Sequence, residues 1–194
     1  GLGLSADYKI PFSTIIDYLK GNDMKILVTG GAGFIGSHTC LELIQAGYEL
    51  VILDNFSNSS MTAIERVSQI TKEIVKFYDG DIRDRELLDL IFEENDISSV
   101  IHFAGLKSIS ESVRKPMEYY QQNIGGTLTL LDVMKSHDVR DLIFSSSAVV
   151  YGDPEEIPIT EEYPKGLCTN PYGWTKSMLE QIMMDIHRSD DRWN

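Results

Sequence analysis

Tyr172 and Lys176 stand four residues apart in "NPYGWTKSM", just past a proline. On a helix two such side chains share one face. A free phenol has a pKa of about 10, and a nearby cation lowers a neighbouring acid by about 1–3 pH units. The pair therefore reads as a proton acceptor and its tuner. Tyr172 would take the proton of a substrate hydroxyl while hydride leaves the same carbon for an acceptor. That hydroxyl needs a second hydrogen bond to orient it. Ser147, in "FSSSAVVYG", is the candidate, whereas Ser145 and Ser146 read as polar loop filler. Helices carry Tyr-x-x-x-Lys pairs by chance, so the reading stands only if the chain also supplies a hydride acceptor and a place to hold it.

Residues 28–36, "VTGGAGFIG", supply that place. Two glycine registers are open: Gly31, Gly33 and Gly36, or Gly30, Gly33 and Gly36. In either, the first glycine makes a tight turn, the second lets backbone N–H groups approach a pyrophosphate, and the third lets helix and strand pack closely. Asp54 ends the next apolar run, "LVILD". A carboxylate there accepts hydrogen bonds from an adenosine ribose and repels a 2′-phosphate, which points to NAD over NADP. Asp81 and Ile82 in "GDIRD" could hold adenine. In "HFAGLK" the small residues permit close backbone approach and Lys107 adds a cation. His102, inside an apolar run, reads as core.

These residues need strand ends and helix starts to carry them. Strands are expected at 25–29, 50–54, 74–78, 99–104 and 141–146, and helices at 34–46, after the polar loop 55–60, at 84–94, at 111–136 and from Tyr172 onward. Short continuous apolar strands alternating with amphipathic helices imply α/β architecture, a doubly wound parallel sheet with helices on both faces, the Rossmann type. Such a sheet usually has six or more strands. The chain is thus expected to be the front of a longer protein, cut before a C-terminal substrate domain, with 24–194 as the incomplete NAD-binding domain. Residues 1–23 read as an N-terminal extension (a cloning remnant, upstream readthrough or a variable segment), with a short docking segment as the alternative.

The 194 residues carry 17 Lys and Arg against 30 Asp and Glu, a net charge of −13. That argues against nucleic acid and an anionic membrane surface as partners. Any bound phosphate must be held by local geometry, such as a helix N-terminus. Cys40 and Cys168 form no metal-type cluster, no metal is expected, and a cytoplasmic address is the simplest.

The stretches "TGGAGFIGSHTCLEL", "ILDNFSNS", "GDIRD", "VIHFAGLKSISESVRKPMEYY", "FSSSAVVYGD" and "NPYGWTK" together resemble the extended short-chain dehydrogenase/reductase family, most closely its members that invert C4 of UDP-hexoses. The resemblance implies that Phe34 and Ile35 cover the pyrophosphate. It implies that Asp54, Asn55, Phe56, Ser57, Asn58 and Ser59 hold the adenosine ribose, and that Asp81 and Ile82 flank adenine. Phe103, Ala104, Gly105, Leu106 and Lys107 would line the nicotinamide side, and Asn123 would brace the site. Ser147 and Tyr172 would be hydroxyl partner and base, with Lys176 on the nicotinamide ribose; Lys107, Ser147 and Tyr172 would face the sugar. Two positions depart from the pattern: Val149 stands where relatives often carry Thr, and Gln122 replaces a frequent Asn.

The implied reaction oxidises C4, turns the 4-ketose over and returns hydride to its other face, with NAD kept bound. Dehydratases of this family need an Asp–Glu pair beside the serine, and here that position reads Ala148–Val149. Epimerases of UDP-glucuronate or UDP-N-acetylhexosamines remain open. From another class, these residues alone could be a non-catalytic NAD-binding module, and the 194-residue chain alone is expected to show negligible epimerase activity. A homodimer is implied through paired helices including the last, where Met178, Ile182 and Met183 are either dimer contacts or core.

Overall fold

The computed structural model describes residues 25–154 and 157–194; the expected extension 1–23 lies outside them. Five strands form one sheet: β1 (Lys25–Thr29), β2 (Leu50–Asp54), β3 (Lys76–Asp79), β4 (Ile97–His102) and β5 (Asp141–Phe144). Their order is β3-β2-β1-β4-β5 and every pairing is parallel. A strand's side chains alternate between faces, so each strand feeds two cores. Leu27, Val51, Leu53 and Val100 join one core. Ile26, Val28, Leu50, Ile52 and Ile101 join the other.

Helices cover both faces. Helices α1 (Phe34–Gln45) and α2 (Met61–Thr71) lie over the second core through Cys40, Leu43, Ile64 and Val67. Helices α3 (Arg85–Glu94), α6 (Gly126–Ser136) and α7 (Pro171–Ser189) lie over the first, through Leu88, Ile91, Leu130, Met134 and Ile182. Ser60, Asp84 and Asn170 each cap the following helix by accepting a backbone N–H. This is the doubly wound architecture that the apolar runs imply. After α7 the chain returns to the sheet edge: Trp193 is buried, the Asn194 N–H donates to the Arg140 carbonyl at 3.0 Å, and Leu142 N–H donates to the Asn194 carbonyl at 2.9 Å.

Four expected elements differ. Strand β3 begins at Lys76, two residues after the expected start. It is an edge strand, and Ile74 is 99% exposed, so the apolar run there does not mark burial. Strand β4 spans Ile97–His102, leaving Phe103 and Ala104 in the loop that follows. Strand β5 stops at Phe144, so Ser145 and Ser146 lie beyond it. The single helix expected at 111–136 is broken into α4 (Ile109–Arg114), α5 (Pro116–Tyr119), a π-helical turn (Tyr120–Gly125) and α6. Pro116 disfavours helical geometry in the residue before it, and Lys115 sits at φ −131°, ψ 53°. The π turn carries Asn123; such turns are frequent at functional sites.

Candidate active site

The strand order reverses between β1 and β4, which opens a crevice at the carboxyl edge of a doubly wound sheet. The loops after these two strands press together there. A Cβ on Gly30, at φ +71°, would lie 2.6 Å from the Ala104 nitrogen, and one on Gly36 would lie 2.2 Å from the Gly30 carbonyl oxygen. Both contacts are with backbone, so neither position admits a side chain. A Cβ on Gly31 would meet the Ile52 side chain at 2.8 Å, so both glycines are tight, but only Gly30 combines a positive φ with a backbone obstacle, which favours the register Gly30, Gly33 and Gly36. Gly33 caps α1 without any side-chain hydrogen bond, which leaves the first-turn N–H groups available to an anion.

One cavity runs along this edge. Its wall contains Gly30, Gly33, Phe34, Ile35 and Gly36 from the glycine turn, Asp54 at the end of β2, and Asn55, Ser57, Asn58 and Ser59 after it. Ile82 follows β3, the whole of 103–107 follows β4, and Ser147, Tyr172 and Lys176 close the far end. Leu53, Gly80, Gln122, Ser145 and Ser146 also line it, although none was expected to bind a ligand. The glycine turn thus shares one wall with Ser147, Tyr172 and Lys176.

Three expected contact residues stand behind that wall. Phe56, at φ 53°, turns inward, packs against the core and meets Phe77 edge-on at 6.3 Å. The Asp81 carboxylate is engaged by Arg83 at 2.9 Å, by Asn55 Nδ2 at 2.9 Å and by Gln122 Nε2 at 3.1 Å. Partial burial opposes its charge, but the Arg83, Gln122 and Asn55 hydrogen bonds outweigh it and hold its pKa at about 2. Asp81 therefore ties its own loop to the loop after β2 and to the π-helical turn, and Ile82 alone of that pair reaches the cavity. Asn123 is 2% exposed. Its amide accepts the Leu106 N–H at 2.8 Å and donates to the Leu106 carbonyl at 2.9 Å, clamping the loop after β4.

Asp54 is 8% exposed and holds the glycine turn to the loop after β2. One oxygen accepts the Ala32 N–H at 2.9 Å, and the other accepts the Phe56 N–H at 3.0 Å and the Ser59 hydroxyl at 2.7 Å.

At the far end Lys176 is buried. Its Nζ donates to the Ser145 carbonyl at 2.7 Å and lies 4.5 Å from the Phe144 ring centroid. Burial pushes its pKa down to about 8, against the Glu180 carboxylate, which pulls it up. The Tyr172 carbonyl accepts the Thr175 hydroxyl at 2.7 Å, and Asn123 Nδ2 donates to that same hydroxyl oxygen at 3.0 Å. Thr175 is fully buried, a link that its sequence position does not reveal.

The chain of hydrogen bonds continues inward. Thr127 Oγ1 donates to the Asn123 carbonyl at 2.6 Å, so its 2.8 Å contact with His102 Nε2 must be received from a ring N–H. His102 Nδ1 then accepts from the Thr29 hydroxyl at 2.6 Å. The ring is a neutral, fully committed core group, as its apolar strand implies. Burial, aided by the Lys176 charge, depresses its pKa to about 3. The unfolded chain takes up this proton near pH 6.5 and the folded one does not, so stability falls as pH drops from about 6.5 towards 3. His102 contributes up to about 1.4 kcal/mol per pH unit in that window. Urea unfolding at several pH values should show a shallower acid slope for His102→Gln than for the parent; equal slopes would refute the assignment.

The fold and this edge together define a dinucleotide-binding domain of the short-chain dehydrogenase/reductase class. The chain belongs to the family whose model is described as GDP-mannose 4,6 dehydratase, which matches residues 27–193. It is 56% identical over 171 residues to a UDP-glucose 4-epimerase of Bacillus subtilis, covering 88% of this chain and 50% of that protein. A UDP-glucose 4-epimerase of Pasteurella multocida is 59% identical over 166 residues, covering 86% of this chain and 49% of that one. The crystal structure of UDP-glucose 4-epimerase from Bifidobacterium longum in complex with NAD+ and UDP superposes with a TM-score of 0.86 at 57% identity, covering 88% of this chain and 51% of that one. The chain spans about half the length of the curated relatives it matches.

Proposed function

We propose that the chain forms the NAD-binding half of an epimerase that inverts C4 of a UDP-hexose, interconverting UDP-glucose and UDP-galactose. The observation that carries this reading is the single cavity wall joining the glycine turn and Asp54 to Ser147, Tyr172 and Lys176. The names of the relatives, and the NAD+ and UDP held by the Bifidobacterium longum enzyme, support it. Within the family, Ala148 and Val149 form the 3₁₀ turn (Ala148–Tyr151) after Ser147, and neither offers the carboxyl group an elimination needs.

The residues present fit NAD: two backbone contacts that exclude any Cβ, uncapped N–H groups at the start of α1, and the Asp54 carboxylate at the end of β2. Bound there, the cofactor supplies reversible hydride acceptance. Phe34 and Ile35 cover the phosphates, and Asn55, Ser57, Asn58, Ser59 and Ile82 flank the adenosine. The segment 103–107 lines the far side with Lys107. Ser147 hydrogen-bonds the sugar 4-hydroxyl and Tyr172 takes its proton, then returns it after the ketose has turned over. Lys176, anchored on the Ser145 carbonyl, places a cation beside the phenol. Asn123 acts from behind, through Leu106 and Thr175.

Two buried free cysteines suit a reducing cytoplasm, and among the described residues no helix is long and apolar enough to cross a membrane. Homodimerisation through α7 is supported by its exposed Met178 and Met184; Ile182, by contrast, packs into the core. The complete protein, once denatured, should release about one NAD per chain, and the native form should convert UDP-galactose to UDP-glucose without net NADH. Absence of both nucleotide and turnover would overturn the reading; accumulating NADH would assign a dehydrogenase.

A further inference from the structure

Helix α7 carries Tyr172, Lys176 and Glu180 one turn apart, so all three line one stripe. The first two belong to the site above. Glu180 is absent from the cavity wall, yet its carboxylate joins two separate segments. One oxygen accepts the Ser146 hydroxyl. The other lies 2.5 Å from Lys165 Nζ, in the connection between the 3₁₀ turn and α7. The Glu180 side chain is 23% exposed, so it is sheltered more than a surface pair is. The same connection also meets the 3₁₀ turn just past the serines, where Cys168 Sγ donates to the Val149 carbonyl at 3.7 Å.

Two successive residues past β5 are thus each held by α7: Ser145 by Lys176, and Ser146 by Glu180. The next residue is Ser147. With its two predecessors fixed to the helix that bears Tyr172, Ser147 has little freedom to drift from the phenol. Proton-transfer efficiency falls steeply with misplacement of about 1 Å, so this anchoring has a kinetic consequence.

We propose that Glu180 is a positioning residue of the proton-transfer site, one that fixes the Ser145–Ser147 segment and the Lys176 ammonium to a single helix while gripping Lys165. The proposal rests on the epimerase reading for its kinetic readout but not for its spectroscopic one, which follows the charge of Glu180 one turn from Lys176. The charged and titratable groups around Lys176 are Tyr172 and Glu180 on its own helix and His102 on β4, with Lys165 and Cys168 beyond Glu180. Of these, Glu180 is the carboxylate that sustains the ammonium form of Lys176.

The test compares Glu180→Gln and Ser146→Ala with the parent in the complete protein. In Glu180→Gln, kcat should fall about tenfold or more with KM changed less than about threefold, since the ground-state sugar contacts stay. NAD content should remain at parental level. Independently, the 13Cε resonance of labelled Lys176, assigned with Lys176→Met, should titrate about one pH unit lower than in the parent. Ser146→Ala keeps the charge, so kcat should fall while the lysine midpoint stays within about 0.3 pH units of the parental one. A Glu180→Gln enzyme with parental kcat, or with an unmoved lysine titration, overturns the proposal. If Glu180→Gln does not fold, Ser146→Ala with parental kcat overturns it. A parent that folds but turns over no UDP-hexose removes the epimerase reading instead, and the lysine titration still decides the role of Glu180.

Discussion

Tyr172→Phe in the complete protein should lower kcat for UDP-galactose by about 10²–10⁴-fold, the range for losing a positioned general base. Its bound NAD and its unfolding midpoint should hardly change. The phenol is 9% exposed and faces the cavity. Among the described residues its hydroxyl has no protein partner, so deleting it breaks no internal hydrogen bond and leaves the backbone link to Thr175 intact. A structural tyrosine would behave in the opposite way, with a stability loss and a mild kinetic effect. Single-turnover measurement separates the cases further: the variant should bind UDP-galactose yet fail to reduce its cofactor on the millisecond-to-second scale. Turnover within threefold of the parent would remove Tyr172 from the chemistry.

The parts of this site that sequence made legible are those whose chemistry is local. The glycine turn, Asp54, Ser147 and the Tyr172–Lys176 pair each sit at a strand end or helix start that apolar periodicity marks, and the structure draws them to one wall. Strands β1 and β2 were readable to the residue because both are buried on two faces, which demands continuous apolar runs. Edge strand β3 was misplaced for the converse reason: with one neighbour and exposed residues, its composition carries little information about its start.

Other details depend on partners distant in the chain. Asp81 looks like a ligand group in "GDIRD", but Asn55 arrives from the loop after β2 and Gln122 from the π-helical turn, and both use its oxygens. Gln122, noted in the sequence only as a substitution, lines the cavity and holds Asp81 at once. Ser145 and Ser146 looked like filler because their value lies in a carbonyl and a hydroxyl met by Lys176 and Glu180, more than thirty residues onward. The Thr29–His102–Thr127 series is similar: three polar residues on three elements become one buried series only when β1, β4 and α6 pack. The break at Pro116 was readable in principle, since a proline disfavours helix before it, but the apolar pattern across 111–136 runs through it.

Gly36→Ala should damage both fold and cofactor retention, and comparison with Gly33→Ala separates the two functions of the glycine turn. A methyl at 36 would sit 2.2 Å from the Gly30 carbonyl oxygen and 2.8 Å from the Gly31 Cα. Both obstacles are backbone, so relief requires moving α1 away from the β1 turn, and α1 carries Cys40 and Leu43 into the core beneath it. Overpacking of this kind costs about 1–3 kcal/mol, and a chain of this size then loses about 2–4 °C of Tm for each kcal/mol. Displacing α1 also withdraws its N-terminal N–H groups, so NAD affinity should fall at least about tenfold, the equivalent of about 1.4 kcal/mol. A methyl at 33 meets only the Gly30 carbonyl oxygen at 3.2 Å, and Gly33 already has φ −68°, which alanine adopts freely. Gly33→Ala should therefore keep the parental Tm within about 2 °C while weakening NAD binding, because the added carbon projects where the phosphate must approach. Isothermal titration with NAD on cofactor-stripped protein, beside thermal unfolding of the same samples, reads both quantities. Equal loss of Tm in the two variants would mean the turn serves packing alone, and undiminished NAD affinity in both would mean the dinucleotide lies elsewhere.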